Sequence, residues 1–320
     1  MGRLHPYVFI NEQLSKFHGS WHGTIRITTT KIRDKHLFYR TNAPNDTAMK
    51  QQRITDPFQL ATVFVIFFTI PVCAAFLPLN GYLQKWVAVI ILFLLSFYLY
   101  KREGSSLSAI GFDFRKKNLR YLLPGLLIGI LVFCSLLALQ REYNNLTVPY
   151  NDQVNLPLVF AGLLFALPGV LMEEMIFRGY CLQKTIERIG FVKANLIFAF
   201  LFIVWHWVAL NAWGNYGQML SLITTGFGHW MFAVAMKRSG TLWFPIALHL
   251  GNNWTSQNIF GYQLSGNNSA RIDSIFQIKG SAEQFSTTHN IISHLLTFAC
   301  FLLFTWLITI WYRKKPIANS

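Results

Sequence analysis

The sequence predicts an all-α, polytopic membrane protein with about eight transmembrane helices enclosing an intramembrane cavity. Three observations predict it. Only 13% of the 320 residues are charged, while 53% are hydrophobic and 16% aromatic; soluble domains carry about 25% charged residues. Apolar runs recur along the chain at lengths close to the roughly 20 residues that a helix needs to cross a bilayer. Lys and Arg collect in alternate connecting segments, the pattern that orients membrane helices.

The spans are expected in order at about 58–79, 84–100, 121–140, 156–173, 192–211, 217–236, 241–262 and 290–312. Pro71, Pro124, Pro168 and Pro245 fall inside them. Membrane helices tolerate such residues when neighbouring groups satisfy the freed backbone. Residues 1–56 are too polar for a span and contain no short apolar core of a cleavable signal, so the first span is expected to act as an uncleaved anchor. The stretch 263–289 is rich in Gly, Asn, Ser and charge and reads as an external loop.

Alternate segments hold 24 Lys/Arg on one side and 4 on the other. Positive residues stay cytoplasmic, so both termini are expected there, which an even number of spans requires. The organisation is then a basic cytoplasmic arm (1–56), a transmembrane domain (57–312) and a short cytoplasmic tail (313–320). The net charge of +15 reads as this orientation signal meeting anionic lipid of the bilayer, not as a nucleic-acid surface. Cys73, Cys134, Cys181 and Cys300 show no CxxC or CxxxC spacing, so neither a disulfide framework nor a cysteine metal site is expected.

Chemistry is expected where polar groups enter the apolar runs. Glu173 and Glu174 directly follow Leu156–Met172. A carboxylate placed within a membrane costs on the order of 3 kcal/mol and is a functional candidate by default. Glu174 and Arg178 are four apart and can pair across one helical turn. Glu173, about 100° round the helix, is left free. His206 lies in the run Phe198–Leu210, one turn after Phe202; His249 lies in Leu242–Leu250, one turn before Asn253. Each needs a polar partner away from water, and they can satisfy one another around a wetted cavity. His229 is a third intramembrane histidine, read as a packing residue or part of a substrate groove. HExxH, GxSxG and intramembrane Asp are all absent from the sequence. By helix rise, Glu173 is expected near the cytoplasmic surface, His249 about 12 Å in and His206 about 20 Å in.

These residues resemble a known family. Glu173-Glu174-Met-Ile-Phe177-Arg178-Gly179 resembles EExxFRG, Phe202-Ile-Val-Trp-His206 resembles FxxxH, and His249-Leu-Gly-Asn-Asn253 resembles HxxxN. In this order they look like the CAAX prenyl protease and bacteriocin-processing family of intramembrane endopeptidases, over about 155–255. The resemblance implies that Glu173 activates water with help from His206. It implies that His249 and Asn253 stabilise the oxyanion, and that Glu174, Arg178 and Phe202 support the site. It implies a membrane-associated protein or peptide substrate. A bacterial inner membrane is favoured over the endoplasmic reticulum. No cofactor is firmly implied. Zinc on Glu173, His206 and His249 is the alternative to a metal-free route. A non-catalytic scaffold or peptide-immunity protein of the same fold is the alternative to an enzyme.

Overall fold

The computed structural model of the chain describes residues 56–262, 272–279 and 286–312. The tail 313–320, most of the loop 263–289 and all of the basic arm except Asp56 lie outside the described residues. Among the described residues, seven helical stretches are long and apolar enough to cross a membrane, and two isolated antiparallel bridges are the extent of β pairing. The protein is an all-α, multi-pass membrane protein.

Helix α1 (Pro57–Ala75) begins where Asp56 accepts the Phe58 N–H and proline occupies the first turn, which needs no N–H partner. Asn80 caps α2 (Gly81–Arg102) in the same way. A short α3 (Lys116–Leu119) leads into α4 (Leu122–Tyr143). Helix α5 (Leu156–Phe177) is capped by Asn155 and followed by α6 (Tyr180–Ile189), in which the chain continues the same stretch to Ile189. Gly190, at φ +81°, turns it into α7 (Phe191–Ala209). Helices α8 (Tyr216–Leu222) and α9 (Thr224–Ser239) form one apolar stretch. Then come α10 (Trp243–Trp254) and, last, α11 (Thr287–Trp311). Pro71 and Pro168 lie inside unbroken helices. All four cysteines are free.

The outward faces carry large apolar side chains such as Phe58, Leu94, Leu123, Leu164, Phe200 and Trp306. In water such a surface would be a liability; in lipid it is the solvated face. The inner faces of α1, α2, α5, α6 and α7 share a core that includes Phe67, Leu92, Ile176, Phe177, Phe198 and Phe202. One polar latch ties α6 to the end of α2: Glu103 accepts from the Tyr180 hydroxyl at 2.6 Å and pairs with Lys184 at 2.6 Å.

The seventh expected span, 241–262, is corrected by the structure. Its helix, α10, has 12 residues, about 18 Å, and gives way to a π-helical turn over Thr255–Ile259. The physical reason is in the residues: polar Asn252, Asn253, Thr255, Ser256 and Asn258 follow the apolar run. The backbone beyond α10 is met by protein instead of lipid. Residues 275, 276 and 278 donate their N–H groups to the carbonyls of Asn258, Ile259 and Phe260, while Thr147 and Tyr150 bridge to Lys279 and Phe276.

Helix α10 is held against α4 by small residues. Gly125 and Gly129 make a GxxxG step on α4. A Cβ at Gly129 would sit 2.1 Å from the Leu248 carbonyl, and one at Gly251 would sit 2.3 Å from the Leu126 carbonyl. The two backbones therefore touch along the turn that carries His249.

Candidate active site

The site is built on α5, α7 and α10. Helix α5 runs to Phe177, four residues past its expected end at 173. Glu173 and Glu174 thus sit inside the helix, one turn from its end. The junction to α6 needs Gly179, because a Cβ there would meet the Met175 carbonyl at 2.2 Å. The last turns of α7 come to the height of Glu173. A single hydrogen bond marks the meeting: Trp205 Nε1 donates to Glu173 Oε1 at 3.4 Å.

Glu174 and Arg178 are both fully buried, and Arg178 Nη1 donates to Glu174 Oε1 at 3.2 Å. The expected turn-to-turn pair is present. The same oxygen accepts a second bond, from His249 Nδ1 at 2.8 Å. The guanidinium lies 4.6 Å from the Phe202 ring and 5.0 Å from the Phe232 ring, and His249 stacks on Phe232 with centroids 4.8 Å apart. Arg178, Glu174 and His249 form one braced chain between aromatic walls.

With Nδ1 committed to Glu174, the other nitrogen of His249 faces Glu173. Its Nε2 is 3.8 Å from Glu173 Oε2, too long for a direct hydrogen bond and wide enough for a water touching both. Glu173 retains 19% of its side-chain exposure, whereas Glu174 retains none. Of the two adjacent carboxylates, Glu174 is buried and paired and Glu173 is partly exposed.

His206 Nδ1 donates to the Phe202 carbonyl at 2.8 Å, which leaves Nε2 as the acceptor of the neutral ring. Its ring stands edge-on to Phe202, 4.5 Å between centroids. Phe202 therefore supports both Arg178 and His206. Asn253 lies one turn beyond His249, partly exposed, and its backbone carbonyl accepts from Ser256 Oγ at 2.9 Å. His229, on α9, is fully buried beside Phe177 and Phe202.

Residues 155–255 match the family described as type II CAAX prenyl endopeptidase, Rce1-like. The match covers about a third of the chain and contains all three motifs. It is a protease-type family, and the likeness read from the motifs stands over the same residues. Comparison with curated proteins and with solved structures finds no significant match.

A zinc site in this family region would need at least three converging donors. Among the described residues no three His, Cys, Asp or Glu side chains converge in that way. His206 and His249 each engage Nδ1, on a backbone carbonyl and on Glu174, and keep Nε2 open, a pattern that ligating histidines also show. Among the described residues Glu173, His206 and His249 do not converge as three ligands of one ion.

Sequence reasoning missed three contributors. The bond between Glu174 and His249 joins residues 75 apart, and no local spacing announces it. Trp205 looked like one apolar residue among many beside His206. The Gly125–Gly129 step was legible as a close-packing motif and went unread.

Proposed function

We propose that this protein is an intramembrane endopeptidase that hydrolyses peptide bonds of membrane-associated proteins or peptides. The observation that carries the reading is the division of labour between Glu173 and Glu174. One carboxylate is spent on Arg178 and His249; the other is open, aimed by Trp205, and faces His249 Nε2 across 3.8 Å. That is the arrangement a general base needs.

Glu173 takes a proton from a water held beside His206 Nε2. The hydroxide oxygen bonds to the scissile carbonyl carbon, and the carbonyl π pair moves onto oxygen. The Asn253 amide N–H, and His249 Nε2 when that nitrogen is protonated, donate to the oxyanion. Preorganised donors of this kind stabilise the charge where it develops. The tetrahedral carbon then expels the amine, which receives the proton that Glu173 holds. Glu174 and Arg178 keep His249 in its orientation throughout.

The test is cleavage of a peptide library by the detergent-purified protein, with and without a chelator. Glu173→Ala should lower the rate by about 10²- to 10⁴-fold, the usual contribution of a general base. Equal cleavage by both proteins would refute the mechanism. Loss with chelator, restored by zinc, would replace it with a metal route. If the protein is instead a scaffold of the same fold, the wild type cleaves nothing. We further propose, from the loop charges, that both termini lie in the cytoplasm. A thiol introduced as Ser320→Cys should react with a membrane-impermeant reagent only after cells are opened.

A further inference from the structure

Five buried polar atoms at the back of the site have no hydrogen-bond partner among the described residues: Glu174 Oε2, Arg178 Nε and Nη2, and both ring nitrogens of His229. Native proteins leave few such atoms, and each calls for an explanation. These five come from three neighbouring side chains. Arg178 and His229 share the ring of Phe202 as a wall, the guanidinium 4.6 Å and the imidazole 5.6 Å from its centroid. Phe177 closes the same space, 6.4 Å from the His229 ring.

The chemistry of the orphans is complementary. Guanidinium N–H groups only donate, a carboxylate oxygen only accepts, and a neutral imidazole has one donor and one acceptor. A residue serving only to fill this space would be apolar, as Phe232, Met231 and Val234 are on the same helix. A histidine there adds two polar atoms that a leucine or phenylalanine would not.

We propose that His229 is a positioning residue of the active centre. Through one or two ordered waters it holds the free edge of Arg178, which holds Glu174, which holds His249. The role rests on the endopeptidase reading for its consequence in catalysis, but the contact itself does not. Water-mediated bonds of this kind hold nearly as well as direct ones where the site is polar.

The first test reads stability alone. His229→Phe keeps the bulk and removes both polar atoms; His229→Gln keeps a donor and an acceptor. In detergent, His229→Gln should melt above His229→Phe. A filling residue predicts the reverse order, since a buried amide without partners is worse than a ring, and that result would overturn the proposal. Combined with Arg178→Met, His229→Phe should lose less than about half the melting temperature that it loses alone, because interacting residues are not additive. Additive losses also overturn it. The second test reads catalysis on a peptide that the wild type cleaves. His229→Phe should lower kcat by about 10-fold or more with KM within about twofold, as loss of an outer supporting group does. His229→Gln should recover most of that loss, and an unchanged kcat in the phenylalanine variant would count against the proposal. If the wild type cleaves no peptide, the endopeptidase reading fails while the melting order still decides the role of His229.

Discussion

Gly129→Ala probes how closely the reacting groups are set by packing far from them. A Cβ at Gly129 would lie 2.1 Å from the Leu248 carbonyl oxygen and 2.7 Å from the Asn252 nitrogen, whereas ordinary contact begins at 3.4 Å. Both opposing atoms are backbone, so no side chain can swing aside. The two helices must part by about 1 Å, because a close-packed interface has no spare volume to absorb the methyl. Leu248 and Asn252 flank His249, so the same displacement moves His249 away from Glu174 and Glu173. Overpacking of this kind costs about 1–3 kcal/mol of stability. An offset of about 1 Å in a reacting group costs about 10²-fold in rate. The assay is thermal unfolding in detergent together with peptide cleavage. Gly228→Ala serves as the control, since its Cβ would meet Phe301 at 3.6 Å, in ordinary contact. The control should melt at or above the wild type, because alanine is favoured over glycine in a helix by about 1 kcal/mol. Wild-type melting and cleavage in Gly129→Ala would refute the claim that the α4–α10 contact sets the site.

Two further outcomes follow from the buried and the exposed charges. Glu174→Gln keeps the shape but deprives the fully buried Arg178 cation of its paired carboxylate, and removing one member of such a pair costs about 3–5 kcal/mol. Denaturant unfolding should show a loss at the low end of that range, since the amide oxygen still accepts one bond; a loss below about 1 kcal/mol would mean that the pair contributes little. Asp113, in the loop whose carbonyl accepts from Trp243 at the start of α10, is held down to about 2 from an ordinary 3.8, chiefly by the hydrogen bond from Arg115. Its folded value lies below its unfolded one, so its stabilisation is complete above about pH 4 and disappears as pH falls toward 2. The gap in melting temperature between wild type and Asp113→Asn should therefore be flat near neutrality and close in that acid window. A gap that is unchanged at the acid end would contradict the assignment.

The membrane character was legible because it depends on composition and run length, which a linear chain states directly. The pairing of Glu174 with Arg178 was legible because four residues on a helix always return to one face. The same periodicity separated Glu173 from it. The length of α10 was misjudged because its run was carried on through a polar Asn-rich end, where the α-helix gives way to a π-helical turn that the segment 272–279 covers. His206 seemed too deep because the end of α5 was set at the charges, while the helix in fact runs on to Phe177 and Trp205 meets Glu173. The sequence by itself determined which residues stand on which face of each helix, since that is local geometry. The tertiary structure alone decided which faces meet: that Glu174 also grips His249, that Trp205 aims Glu173, and that His229 lies behind Arg178. Those meetings depend on how glycine steps and aromatic walls let whole helices approach, and spacing along one helix carries no record of the next.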